Sequence, residues 1–162
     1  MLSKVLSRAQ CASCRFCCSF RRCSLWETPL FPPETAKKMS EENEYGVIGQ
    51  FRDGKMCLEH GYQTDDPAEE VPCQFLDPAK GCILQDGDKP FDCKIWPLRV
   101  MDRDGRRVIA FTPTCSALGA VPPEALRALV QQDLGKEIFR YAAEHPEIVK
   151  PYREDFLIVL EA

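Results

Sequence analysis

From residue 122 onward the apolar positions fall at helical spacing. Leu126, Leu129, Val130, Leu134, Ile138 and Tyr141 lie near one face of a helix opened by Pro122-Pro123-Glu124 and closed before Pro146. The stripe reads as core packing rather than a cofactor box. "FLIVLEA" closes the chain as a strand. Two earlier segments have the pattern of hairpins. Strands over 47–52 and 55–58 flank Asp53-Gly54, and "LRVMDRDGRRVIAF" folds about Asp104-Gly105, since Asp-Gly suits a tight hairpin turn. Short helices are predicted over 2–9 and 13–22. A further helix is predicted over 33–42, entered through Pro32-Pro33, because proline is tolerated in a first turn.

The middle follows neither period. "TDDPAEEVP" reads as an acidic loop. "CQFLDPAKGCILQDGDKPFDCKIWPLRVM" spreads three cysteines among the turn residues Asp77-Pro78, Gly81, Asp86-Gly87 and Pro90. Long irregular segments are uncommon in compact domains unless something holds them. The expected fold is therefore a small, irregular α+β domain organised by metal, with short helices, two β-hairpins and a helical C-terminal segment. The 162 residues are expected to form a single domain, with a cysteine-rich metal-binding region over 11–118 and the helical segment over 122–162.

Composition points at the cysteines. A chain of this length buries roughly two-thirds of its unfolded surface and does not depend on staples to fold. Yet it has ten cysteines. No secretory leader pattern and no apolar run long enough for a membrane span is visible, so a cytoplasmic protein is expected. In a reducing compartment, clustered cysteines read as metal ligands or catalytic thiols before disulfides.

The stretch "CASCRFCC" places Cys11, Cys14, Cys17 and Cys18 within eight residues. On a helix, Cys14, Cys17 and Cys18 would share a face. In a loop, C-x-x-C bends the backbone around one ion. Cys73, Cys82, Cys93 and Cys115 would each pass singly for a buried thiol. Together, in a region with a weak apolar pattern, they look like the remaining ligands of a metal site, whose binding energy is ample to order such a region.

Charge is unevenly placed. The net charge is -4, which argues against nucleic acid as a partner, but residues 1–26 carry Lys4, Arg8, Arg15, Arg21 and Arg22 and no acid. Such a run is either a solvated face or an offset to thiolate charge.

The motifs "CASCRFCC", "CQFLDPAKGC", "KPFDCKIWP" and "PTCSAL" together resemble the YkgJ-like CxxCxxCC family of zinc- or iron-chelating domains. The resemblance runs from about residue 11 to 118. It implies a metal site with Cys11, Cys14, Cys17, Cys18, Cys73, Cys82, Cys93 and Cys115 as its cysteines, and it implies no settled reaction. Flagellin lysine N-methylase looks related through similar cysteines. This chain is short for such an enzyme and has no recognisable S-adenosylmethionine fingerprint, so a methyltransferase-like role ranks below the others.

Zinc and an iron–sulfur cluster both take four thiolates. C-x-x-C-x-x-C is the run that bacterial ferredoxins use for three cluster ligands, with a remote fourth. Zinc sites usually take two C-x-x-C pairs, and there is no second pair. Spacing thus favours [4Fe–4S], with an electron-transfer or redox role and a redox or protein partner left open. A zinc-stabilised binding module is the alternative. Phe16, Phe75, Phe91 and Trp96 are placed either to exclude water from the centre or simply to pack. Cys23 and the Cys57…His60 half-site lie outside the pattern. No phosphate loop, G-x-S-x-G elbow or H-E-x-x-H pair is present.

Overall fold

The structure is a computed structural model that describes residues 14–112, 114, 115 and 121–162. The helix expected over 2–9 lies outside the described residues. The fold is mixed α+β, with several short helices and small sheets. The chain divides into two compact units whose boundary falls between Lys94 and Ile95, inside the cysteine-rich region.

In the first unit β1 (Ser19–Arg21) pairs antiparallel with β4 (Glu70–Pro72), joining Phe20 to Val71. This corrects the helix expected over 13–22. Phe16–Cys18 is a 3-10 turn and the chain then extends as β1. The alternation of half-buried Ser19, buried Phe20 and half-buried Arg21 is the reason, because a strand sends Phe20 alone into the core. The acidic loop likewise contains a strand, with Val71 buried between Glu70 and Pro72.

Helix α1 (Pro33–Ser40) starts at proline and buries Ala36 and Met39. Hairpin β2 (Phe51–Arg52) and β3 (Lys55–Met56) turns at Asp53 and Gly54, with φ of 51° and 75°. Positive φ at both turn positions matches the twist of the strands. A third hairpin, β5 (Leu76–Asp77) with β6 (Gly81–Cys82), and a short helix α2 (Phe91–Ile95) occupy the segment expected to be irregular. The Asp77 carboxylate accepts the N–H groups of Ala79 (2.7 Å) and Lys80 (2.8 Å), and Gly81 takes φ 81°. These local bonds form a turn that hydrophobic periodicity does not reveal.

The core of this unit gathers Phe20, Phe31, Met39, Met56, Leu58, Tyr62, Val71, Phe75 and Leu84. Phe31 lies edge-on to Phe51 at 4.9 Å, and Phe75 stacks on Phe51 at 6.3 Å. Each fully buried large side chain contributes about 1.5–3 kcal/mol. Tyr62 is buried, and its hydroxyl donates to the Phe20 carbonyl at 2.9 Å.

The second unit is built on β7 (Leu98–Arg103) and β8 (Arg106–Phe111), the hairpin expected at Asp104-Gly105. β10 (Leu157–Glu161) adds antiparallel to β8, and β9 (Lys150–Pro151) adds parallel to β7. The predicted helix is present as α3 (Pro123–Leu129), a π turn (Val130–Leu134) and α4 (Gly135–Glu144). Leu126, Val130, Leu134, Ile138 and Ala142 are buried at a strict four-residue spacing. On an α-helix each such step overshoots a full turn by about 40°. The π turn takes in an additional residue and offsets that drift. Leu129 and Tyr141 flank the row half-buried.

Candidate metal centre

Four backbone features bring the head cysteines to those of the middle. Arg15 adopts φ 54°, in the left-handed region, and so turns the chain after Cys14. The Cys18 N–H then donates to the Arg15 carbonyl at 3.0 Å, which leaves Cys17 and Cys18 on a tight turn. The β1–β4 ladder continues one step past Ser19 and Pro72: the Cys73 N–H donates to the Cys18 carbonyl at 2.7 Å. Finally, the Leu76 N–H donates to the Cys73 carbonyl at 3.0 Å, and β5–β6 sets Cys82 opposite Leu76.

The sulfurs themselves form two close pairs. Cys17 Sγ lies 3.8 Å from Cys18 Sγ. Cys73 Sγ lies 3.7 Å from Met56 Sδ and accepts the Phe75 N–H at 3.4 Å. Two thiolates on one tetrahedral zinc, at about 2.3 Å each, stand about 3.8 Å apart. Both pairs therefore have the length of one edge of a coordination tetrahedron. Among the described residues, no three or more His, Cys, Asp or Glu side chains are drawn together as a complete ion site.

The electrostatics record the same crowding. The Cys17 thiol is pushed far above the usual thiol range by its hydrogen bond with Cys18, then by burial, then by the charges of Cys18 and Cys14. The Cys73 thiol is pushed up to about 12, chiefly by burial, with smaller contributions from the charges of Cys82 and Cys17. Charge on neighbouring cysteines thus bears on both Cys17 and Cys73. A cation among them would reverse the sign of that influence, because it stabilises thiolate where neighbouring thiolates oppose it.

The remaining predicted cysteines stand as follows. Cys11 lies outside the described residues. Cys93 is exposed on α2, its N–H donating to the Pro90 carbonyl at 3.0 Å. Cys115 is buried and belongs to the second unit. Cys23 is exposed, Cys57 is half-buried, and His60 is exposed on the 3-10 turn Glu59–Gly61.

The basic head is not wholly a solvated face. The Arg22 guanidinium lies 4.5 Å from the Tyr62 ring, donates to the Thr64 carbonyl and reaches Glu69 at 3.5 Å. Arg21 lies 6.0 Å from the Phe16 ring. Of the aromatics near cysteines, Phe75 is fully buried in the core and Phe91 is buried. Trp96 lies in the second unit, with the Arg99 guanidinium 4.6 Å from its ring.

Met56 escaped sequence reasoning. Its contact with Cys73 depends on how the β2–β3 hairpin meets the segment after β4, and methionine has no fixed spacing to betray it.

Among the described residues, no helix is long and apolar enough to cross a membrane. Comparison with protein-family models, curated proteins and solved structures finds no match to this chain.

Proposed function

We propose that this chain is a metal-binding protein whose thiols hold an iron–sulfur cluster with an electron-transfer or redox role. The observation that carries this is the backbone rung from the Cys73 N–H to the Cys18 carbonyl, which brings the head segment to the segment that carries Cys73. Burial and neighbouring cysteines oppose the thiolate form of Cys17 and Cys73, and a bound cation would favour it. The C-x-x-C-x-x-C run of Cys11, Cys14 and Cys17 supports iron–sulfur, as does the resemblance to the YkgJ-like pattern. When bound, such a cluster would supply one-electron chemistry. The chain's own part would be to present thiolates and keep water away, with Phe75 packed beside Cys73.

A second reading, a zinc-stabilised module, is favoured by the 3.8 Å Cys17–Cys18 separation. That length suits two thiolates on a single metal atom, whereas the four thiolates of a [4Fe–4S] cluster serve four separate irons.

Purification without oxygen, followed by metal and sulfide analysis, decides between them. A brown protein with iron and acid-labile sulfide supports the first reading. A colourless protein with stoichiometric zinc supports the second. A protein that retains neither, and takes up neither on reconstitution, removes both.

A further inference from the structure

Cys73 opens a tight turn that is bonded at each step. Its N–H donates to the Cys18 carbonyl at 2.7 Å, its carbonyl accepts the Leu76 N–H at 3.0 Å, and its Sγ accepts the Phe75 N–H at 3.4 Å. The peptide between Gln74 and Phe75 carries that last donor, so its orientation decides whether the bond to sulfur is made. Both residues of this peptide are held. Phe75 is fully buried, and its carbonyl accepts the Ile83 N–H at 3.0 Å. Gln74 is held through its side chain. The Gln74 Nε2 donates to the Cys57 carbonyl at 3.0 Å, and the Gln74 Oε1 accepts the Gln50 N–H at 3.0 Å. Gln50 and Cys57 are themselves joined, the Cys57 N–H donating to the Gln50 carbonyl at 2.8 Å, one step beyond Phe51 and Met56 of the β2–β3 hairpin. One primary amide, both donor and acceptor, thus grips the open end of a hairpin.

We propose that Gln74 is a positioning residue of the metal centre: by gripping Gln50 and Cys57 it aims the Phe75 N–H at Cys73 Sγ, and so raises the reduction potential of a cluster that Cys73 ligates. The proposal rests on the reading of Cys73 as a cluster ligand. The physical reason is charge. An iron–sulfur cluster becomes more negative on reduction, and an N–H aimed at a ligating sulfur stabilises the added charge. Away from water such a bond is electrostatically stronger. The same N–H favours the thiolate of Cys73 and so works against burial, which disfavours it. Gln74 touches no ligand sulfur in these contacts; it acts through the backbone of its neighbour.

The test compares the full chain with Gln74→Ala, Gln74→Glu and Tyr45→Phe. Tyr45→Phe is the matched control. The Tyr45 hydroxyl also makes two hydrogen bonds, donating to Asp88 at 2.5 Å and accepting the Gln85 N–H at 3.2 Å, neither of them with the Cys73 turn. After anaerobic reconstitution with iron and sulfide, a reductive titration is expected to give Gln74→Ala a more negative potential than wild type. Tyr45→Phe is expected to keep the wild-type potential. A wild-type potential in Gln74→Ala, or an equal fall in Gln74→Ala and Tyr45→Phe, overturns the proposal and leaves the iron–sulfur reading standing. A wild type that takes up no cluster removes both.

A second readout needs no cluster. In the reduced, metal-free chain, alkylation of Cys73 by iodoacetamide is followed by peptide mass spectrometry. Loss of both Gln74 bonds should let Cys73 react at least about tenfold faster in Gln74→Ala, with Tyr45→Phe at the wild-type rate. Gln74→Glu keeps the acceptor for the Gln50 N–H and lacks the donor for the Cys57 carbonyl, so its rate should fall between those of wild type and Gln74→Ala. Equal rates at Cys73 in all four proteins overturn the proposal, whether or not Gln74→Ala retains a cluster.

Discussion

The backbone N–H of Cys73 donates to the carbonyl of Cys18 at 2.7 Å, so two cysteines with 54 residues between them share one rung of a ladder. The rung follows from register: once Phe20 faces Val71 and Ser19 faces Pro72, the next step brings Cys18 to Cys73. Burial of Phe20 and Val71 thereby fixes which two cysteines share the rung, because a one-residue slip would send Phe20 to the solvent face.

Substitution of head cysteines should separate site from bystander. Cys14→Ser and Cys17→Ser are expected to lose bound metal, whereas Cys23→Ser is expected to retain it. The charge of Cys14 bears on the Cys17 thiol; Cys23 is exposed, its N–H donating to the Pro67 carbonyl at 3.0 Å. Metal content after anaerobic purification checks this. Equal content in all three variants would remove the head from the site.

Acid should loosen the loop before β4. The Glu69 carboxylate accepts N–H groups from Gln63 (2.5 Å) and Thr64 (2.9 Å) and the Thr64 hydroxyl (2.8 Å), with Arg22 at 3.5 Å. These bonds, the Gln63 N–H foremost, lower its pKa from 4.5 to about 2. A carboxylate lowered in the folded state stabilises it above the unfolded pKa, and that stabilisation is lost as pH falls through the folded one. Urea midpoints of wild type and Glu69→Gln should therefore differ at pH above 4.5 and converge as pH approaches 2. A gap that stays constant across this window would assign the effect to another group.

Much of the fold was legible where local chemistry determines it. Asp53-Gly54 and Asp104-Gly105 turn as expected, because both positions of each pair take positive φ. The C-terminal helix is present because its apolar row is long. The β1–β4 pairing was not legible. Its three-residue strands lie far apart in sequence, and the head reads as well for a helix, whose 3.6-residue period also gathers Cys14, Cys17 and Cys18. The β5–β6 hairpin was hidden for a different reason: backbone N–H groups on Asp77 make it, and strands of two residues have no period to read. The cysteines stood out by spacing, but spacing could not show that Met56 lies against Cys73.

The π turn creates a position where glycine is required. A Cβ on Gly135 would stand 2.8 Å from the Val130 carbonyl oxygen and would press on Leu160 of β10. Backbone at that distance cannot swing aside as a side chain can. Gly135→Ala gains about 1 kcal/mol of helix propensity but meets an overpacking cost of about 1–3 kcal/mol. A net loss of about 1 kcal/mol is expected, read as a lower urea midpoint with unchanged slope. A stabilised variant would mean that β10 yields to the methyl group.

Metal removal should act on one unit and spare the other. In the first unit, β1 and β4 are three residues each and the remaining strands two, so few ladder bonds protect the segment between Cys14 and Cys82. In the second, β7 and β8 pair over six residues, flanked by β9 and β10, and Val100, Val108 and Ile109 are buried. Local opening is easiest where ladders are short and apolar contacts few. Hydrogen exchange on metal-loaded and metal-free protein reads this amide by amide. On removal of the metal, the Cys73 amide, bonded to the Cys18 carbonyl, should exchange at least about tenfold faster, an opening cheaper by about 1.4 kcal/mol. Amides of the β7–β8 ladder should keep their protection. Equal loss in both units would mean that the metal governs the whole chain, and no change at Cys73 would place the metal away from the rung it shares with Cys18.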